Sequence, residues 1–242
     1  MGKFTKVASD SFDELQMNAG VLLSSFDPTN PTEPSSDDII ATTTGGIHVV
    51  CEPTYSDFGE DVDNVPNNMK EYKHLDGWNC YMGFTSIKFN TDNVRLAVGP
   101  ADLSGETYAA SSDTSVVSGK TYYTRTGSGT AQSPYVYTPV ASPTGNPSTS
   151  NYYEMTTPNY KVTPRMELAD SDFEDALWWV GDKADGGCVA IKLLNARSTG
   201  GFDMQTTKNA KGTMSMTITG HVSISAQTTV PMEFYVLEAP AS

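Results

Sequence analysis

Lys211-Gly212-Thr213-Met214-Ser215-Met216-Thr217-Ile218-Thr219-Gly220-His221-Val222-Ser223-Ile224-Ser225-Ala226 decides the fold. Its even positions from Met214 are Met, Met, Ile, Gly, Val, Ile and Ala. Its odd positions from Thr213 are Thr, Ser, Thr, Thr, His, Ser and Ser. Period-two alternation means a strand, or a pair of strands broken near Gly220, with two unlike faces. The apolar face must cover a core. The other face is almost entirely short hydroxyls, so it stands in water. Such a strand belongs to an antiparallel sheet with one wet side. It is longer than a typical strand, which suits a sheet that continues beyond one subunit.

The totals agree with a β protein. The chain has 242 residues, enough for one large or two small domains, and only 18% of them are charged. Gly and Pro together number 34 of these residues, so turns are frequent. With 29 acids against 15 bases, the net charge is −14. That argues against nucleic acid as an attractive ligand, since phosphate binding needs a basic surface. Cys51, Cys80 and Cys188 are distant in sequence and odd in number, so neither a disulfide framework nor a zinc site is expected. Free thiols in a reducing compartment are the reading. The first residues lack a charged-then-apolar signal, and no window is apolar enough to span a bilayer. Synthesis in a cytoplasm and no membrane contact are therefore expected.

Outward from the opening stretch, further elements fall into place. Gly20-Val21-Leu22-Leu23 reads as a first core strand within Leu15 to Phe26. Pro28, Pro31 and Pro34 make Asp27 to Asp38 a loop. Ile47 to Cys51 is a strand stopped by Pro53, and Trp78 to Phe89 is another. Thr91 to Ala101 is a helix, capped by Asn90 or Thr91 and cut short by Gly99-Pro100. Asp170 to Val180 is a second helix, with Phe173, Ala176, Leu177 and Val180 on one face and Gly181 as its stop. Cys188 to Leu194 is a buried strand, and Val230 to Leu237 the last one. Residues 104–155 differ: they hold seven of the 12 tyrosines and are nearly neutral. They read as a small β-rich insertion, with strands at Asp113 to Thr124 and Pro134 to Val140. The domain plan is thus 1–103 and 156–242 for the main body, and 104–155 for the insert.

Signatures of chemistry are missing. Asp57, Glu60, Asp61 and Asp63 form an acidic cluster, but Val65 stands where an EF-hand loop starting at Asp61 needs a ligand. His48, His74 and His221 are isolated, without metal spacing. No Gly-x-Ser-x-Gly elbow occurs. Asp172, Glu174 and Asp175 near Trp178-Trp179 could be drawn as a sugar-cleaving pair. At a helix start, however, acids are favoured by the dipole. No enzyme, no cofactor and no metal is expected.

The ordered motifs Gln16-Met17-Asn18-Ala19-Gly20-Val21-Leu22-Leu23, Thr44-Gly45-Gly46-Ile47 and Tyr55-Ser56-Asp57-Phe58-Gly59-Glu60-Asp61-Val62-Asp63-Asn64 with Pro66 carry a resemblance. So do Thr163-Pro164-Arg165, Trp178-Trp179-Val180-Gly181-Asp182 and Gly220-His221. Together the chain resembles the major tail tube protein of long, non-contractile-tailed phages. The resemblance implies a mainly β, tail-tube-type β-sandwich or barrel with one or two flanking helices. It further implies stacked hexameric rings enclosing a channel for DNA ejection into the host, in a virion tail assembled in the bacterial host cytoplasm. Tape measure, terminator and distal tail proteins are the implied partners.

Under this reading Thr213, Ser215, Thr217, Thr219, Ser223 and Ser225 line the channel, which DNA crosses without specific binding. Like charge acts over roughly 8 to 10 Å in physiological salt. Tyr55, Asp57, Glu60, Asp61, Asp63, Asn64, Pro66 and Asn67 sit in a long polar connection that reaches a neighbouring subunit or ring. The insertion projects outward. A carbohydrate-binding β-sandwich, or another virion part such as a tail terminator or capsid decoration protein, is the alternative.

Overall fold

The computed structural model describes residues 11, 14–60, 62–66, 69–130 and 133–239. Asp61 and Asn67, expected at a subunit contact, lie outside them. The chain is mainly β. Its strands are β1 (Gln16–Leu23), β2 (Ile39–Ala41), β3 (Thr43–Asp57), β4 (Lys73–Ser86), β5 (Ala101–Ser104), β6 (Thr107–Ala110), β7 (Tyr123–Thr126) and β8 (Val136–Pro139). They continue with β9 (Tyr153–Thr157), β10 (Lys161–Pro164), β11 (Glu174–Lys183), β12 (Cys188–Ser198), β13 (Asp203–Gln205), β14 (Thr213–Thr219) and β15 (Met232–Leu237). Among the described residues one α-helix, α1, spans Thr91–Val98. The chain divides into two compact units, 1–101 with 164–242 and 102–163.

The larger unit is sandwich-like. Strands run in the order β2-β1-β11-β12-β14-β4-β3, with β13 on β14 and β15 on β12. β12 is the hinge of this order. Its first half, Cys188 to Leu193, pairs with β15, while Arg197 and Ser198 pair with β14. Between them Asn195 takes a φ of 45°, a left-handed backbone that Asn tolerates. One strand thereby serves two sheets. Leu22, Leu177, Leu193 and Met232 from the first sheet meet Cys80, Met82, Phe84, Met214, Met216 and Ile218 from the second. The opposite face of the first sheet is also covered: Trp178, Leu23 and Ala190 pack with Phe26, Ile39 and Tyr235.

α1 closes one side through Ala97, which is fully buried. Its cap follows the expected chemistry. The Asn90 side chain accepts a hydrogen bond from the Asn93 amide at 2.8 Å, and Gly99 ends the helix at φ 87°. Ser198 ties β12 to the helix by donating to the Ala97 carbonyl at 2.8 Å.

Four expectations need correction. The second helix is not formed: Asp170–Asp172 is a single 3-10 turn, followed by strand β11. Asp172 does not start a helix. Its buried carboxylate accepts from Arg165 and from the Ala169 amide. The helical spacing of Phe173, Ala176, Leu177 and Val180 was coincidental, because β11 is covered on both faces and so shows no alternation. Leu177 faces the inter-sheet core and Trp178 the other. Gly181 continues the strand rather than stopping it. Second, the opening stretch does break near Gly220, but no second strand follows: β14 ends at Thr219 and Ile224–Ala226 is a 3-10 turn. Gly220 lies where an added Cβ would come 2.7 Å from Leu193 Cδ1 and 2.8 Å from the Pro231 carbonyl oxygen. There the chain leaves the sheet.

The third correction concerns Pro53, which does not stop its strand; β3 runs through it to Asp57. β3 is the last strand of the path, and an edge tolerates a missing N–H. Fourth, the tyrosine-rich strands are shorter than expected. Residues 111–122 are irregular, and β7 starts only at Tyr123.

The smaller unit is a four-stranded antiparallel sheet in the order β6-β9-β7-β8. A second pair, β5 and β10, belongs to its ends, so the division falls at Asp102 and Thr163 rather than at 104 and 155. One face carries a buried Tyr122, whose hydroxyl donates to Asp113 at 2.6 Å. Lys120 bridges Asp113 and Glu154, each at 2.7 Å. Those two carboxylates push the Lys120 ammonium pKa up, and Lys120 with Tyr122 holds the Asp113 carboxyl below its ordinary range.

Candidate assembly surfaces

β3 and β4 form one long hairpin, paired from Thr43 opposite Ser86 to Asp57 opposite Lys73, with register shifts after Thr44 and after Thr54. Its inner half is part of the second sheet. There Cys80, Met82, Phe84 and Ser86 are buried at every second position. Its outer half, Glu52 to Asp57 with Lys73 to Asn79, runs past the core for roughly 20 Å at the usual strand rise.

The core-side face does not turn polar there. Directly opposed residues share a face, so the core-packed pair Cys51–Cys80 is followed by Pro53–Trp78 and Tyr55–Leu75. Tyr55 is 60% exposed, Leu75 44% and Trp78 40%. The reverse face is polar: Thr54 donates to the Gly77 carbonyl and Ser56 to Asp76. The arm is therefore an amphipathic ribbon with its apolar side open. A two-stranded ribbon of this kind is marginal unless something packs on it.

The expected contact residues divide between this arm and its tip. Tyr55 and Asp57 lie on β3. Glu60, Asp63, Asn64 and Pro66 lie in the connection beyond it and are exposed. Asp57 is engaged within the hairpin: Lys73 Nζ is 2.9 Å from its Oδ2, and the Gly59 amide donates to its Oδ1. Phe58 and Val62 are exposed at the tip, where Phe58 packs on His74 with centroids 5.9 Å apart. Trp78 and Leu75 were not foreseen. The signal was present as cross-strand apolar pairs, but the extent of the core was needed to read it.

The expected channel residues also divide. Thr213, Ser215, Thr217 and Thr219 share the wet face of β14, while Met214, Met216 and Ile218 are buried behind them. Register extends that face across the sheet: Ser215 lies opposite Thr85, which lies opposite Thr44; Thr217 lies opposite Gly83, which lies opposite His48. The result is a broad hydroxyl-rich surface, with Arg197 and Asp203 at its margins. Ser223 and Ser225 are not on it. They belong to a 3-10 turn at Ile224–Ala226, where Ser223 Oγ accepts from the Ser225 amide.

A second open edge lies at β15. It pairs only with β12 among the described strands, and its Phe234 and Val236 are 58% and 69% exposed. Both continue the inter-sheet face, since Phe234 lies opposite Ile191 and Val236 opposite Val189.

Cys51 and Cys80, far apart in sequence, come together in the hairpin with sulfurs 3.4 Å apart, and all three cysteines are free. Burial, then the neighbouring Cys51 thiol, pushes the Cys80 thiol up to about 12. Among the described residues no three His, Cys, Asp or Glu side chains form a metal site, and no helix is long and apolar enough to cross a membrane. The features that stand out are surfaces: two open sheet edges, an uncovered apolar arm and a hydroxyl-rich wet face. The chain matches no protein-family model, and no curated protein is significantly similar to it.

Proposed function

We propose that this chain is a self-assembling structural subunit, and specifically a tail tube protein of a long-tailed phage. The observation that carries the reading is the arm. Its stripe Pro53, Trp78, Tyr55 and Leu75 continues the core face beyond the core, so its natural cover is another molecule. A second copy of the chain is the economical cover, because β15 offers an open apolar edge on the same fold. An arm on one surface and an edge on another make a head-to-tail contact, which closes into rings when the rotation permits. Sheets joined in this way lose their free edges.

The hydroxyl face of β14, β4 and β3 suits the lining of such a ring. Thr and Ser hydroxyls neither neutralise phosphates nor present apolar surface, and the net charge of −14 adds repulsion. Hexameric rings, stacking, DNA passage and the tail partners come from the motif resemblance. Negative-stain microscopy and light scattering of the purified protein test the proposal. Tubes or rings with a lumen are expected. A monomer at all concentrations, or a globular oligomer without a lumen, would overturn it.

A further inference from the structure

We propose that the face of the smaller unit bearing Tyr108, Tyr123, Arg125, Tyr135, Tyr137 and Tyr153 carries a saccharide site that holds one carboxylate-bearing sugar residue. The site stands on a different observation from the assembly surfaces and does not rest on the tail tube reading. Within the smaller unit, register places Tyr123 opposite Tyr153 and Arg125 opposite Tyr137. Tyr108, Tyr123, Arg125, Tyr137 and Tyr153 therefore lie on one face of the sheet. The rings brace one another: Tyr108 stacks on Tyr137 at 3.9 Å and 9°, Tyr108 meets Tyr123 edge-on at 4.9 Å, and Tyr137 meets Tyr153 at 5.4 Å.

Arg125 is held at the margin of this cluster. Its Cζ lies 4.3 Å from the Tyr135 ring centroid and 4.5 Å from that of Tyr153. Tyr135 is itself fixed, because its ring lies against the backbone of Gly129. A Cβ there would come 2.6 Å from the ring, and Gly129 has a φ of 74°. The two cations of this sheet are treated differently. Lys120, on the other face, is consumed by Asp113 and Glu154. Arg125 has two aromatic rings and no carboxylate partner among the described residues. Arg125 is exposed, so its N–H donors are open to a ligand while its plane stacks on the two rings, a partly preorganised fork.

The ligand class follows from these parts. A guanidinium fork matches a carboxylate with two parallel hydrogen bonds. Beside it, Tyr135 is 47% exposed, and the part of its ring surface left open by Arg125 and Gly129 attracts the weakly positive C–H face of a pyranose. Nucleic acid would also use rings and arginine, but it needs a run of cations along its backbone. This face supplies one, on a chain of net charge −14. A glycan with isolated acidic residues fits a single fork; a densely charged polymer does not.

The test uses the full chain in ligand-observed and amide NMR titrations. The probes are a tetrasaccharide alternating glucuronic acid with N-acetylglucosamine, the same tetrasaccharide with its carboxylates reduced to alcohols, and a single-stranded oligonucleotide. The acidic tetrasaccharide is expected to bind, moving the amides of 123–126 and 134–137. Its reduced form should bind about tenfold more weakly, the usual worth of a charge-assisted bidentate contact. Arg125→Gln should lower the acidic probe to the level of the reduced one, whereas Tyr135→Ala should weaken both. The comparison between the two sugars needs no variant, so a folding defect in either substitution leaves the test standing. Equal binding of the two sugars, no binding up to about 10 mM, an unaffected Arg125→Gln variant, or tighter binding of the oligonucleotide would each overturn the site.

Discussion

Replacing Tyr55 and Trp78 together by serine tests the assembly surface most directly. An aromatic side chain offers roughly 150 to 250 Å², with Tyr and Trp toward the upper end. Tyr55 at 60% exposure and Trp78 at 40% therefore leave about 220 Å² of ring surface open. At about 25 cal/mol per Å², covering it on assembly contributes about 5 kcal/mol per contact. Each 1.4 kcal/mol is a factor of ten, so the concentration needed for assembly should rise about 4000-fold. The lone subunit should barely notice, because substitutions of exposed residues usually stay within about 0.5 kcal/mol, or about 2 °C in melting temperature for a chain of this size. Light scattering against concentration reads the first quantity, and a thermal melt of dilute protein the second. In the parent chain, Trp78 fluorescence should shift to the blue on assembly, while buried Trp178 stays constant. An unchanged assembly threshold would refute the idea that the arm is the contact. A melt lowered by 10 °C or more would mean that the two rings belong to the subunit's own core.

Further perturbations bear on other parts of the molecule. Gly20→Ala should destabilise by about 3 kcal/mol in denaturant titration, since φ is 69° and the new Cβ would lie 2.5 Å from Trp179 Nε1 and 2.6 Å from the Val180 carbonyl oxygen. Gly46→Ala, at φ 81° with nothing within 4 Å, should cost only about 1 kcal/mol. The thiol oxidant diamide should join Cys51 to Cys80, taking up the two protons and two electrons the thiols lose, and non-reducing peptide mass mapping should show the cross-link with Cys188 left free. Because the Cys80 thiol is raised to about 12 from an ordinary value near 9, its contribution to stability is complete below pH 9 and is lost as pH rises toward 12. Alkaline melts of the parent and a Cys80→Ala variant should therefore converge over that window. Glu60→Lys with Asp63→Lys should stop assembly while leaving a folded monomer, as judged by sedimentation and circular dichroism.

Local chemistry was legible where a single neighbour decides the outcome. Met214, Met216 and Ile218 needed only one buried side to alternate, and Asn90 with Gly99 needed only the helix ends to mark them. β11 was misread for the opposite reason. Two cores press on it, so Leu177 and Trp178 are both apolar, and period two vanishes. Ser223 and Ser225 kept the alternation of β14 after the chain had left the sheet. What removed them is Gly220 against Leu193 and Pro231, a contact with β12 and the approach to β15 that no local pattern encodes. The apolar stripe of the arm was hidden likewise. Trp78 and Leu75 look like core residues until the core is seen to end at Cys80. The site at Arg125 depends on a cation lacking a carboxylate, which composition alone cannot express.

The hairpin gathers these constraints into one strand pair. A 15-residue edge strand is a hazard in a soluble protein, because its free N–H and C=O groups recruit any other strand. β3 carries two of the usual guards: the bulge at Gly45-Gly46, where the register shifts, and Pro53, which removes a donor. Both lie on the backbone and limit where a foreign strand can pair. Neither covers the side chains of Tyr55, Leu75 and Trp78. A protein protected against any association would have made that face polar, as it did on the reverse side with Thr54, Ser56 and Asp76. Backbone guards combined with an apolar face restrict association to a partner whose shape meets the arm, which is the requirement for an ordered polymer rather than an aggregate. Exchanging Pro53 for Val should therefore leave the face intact but relax the guard. Disordered aggregates should grow at the expense of tubes, visible by microscopy. Normal tubes at normal yield would show that Pro53 restricts nothing.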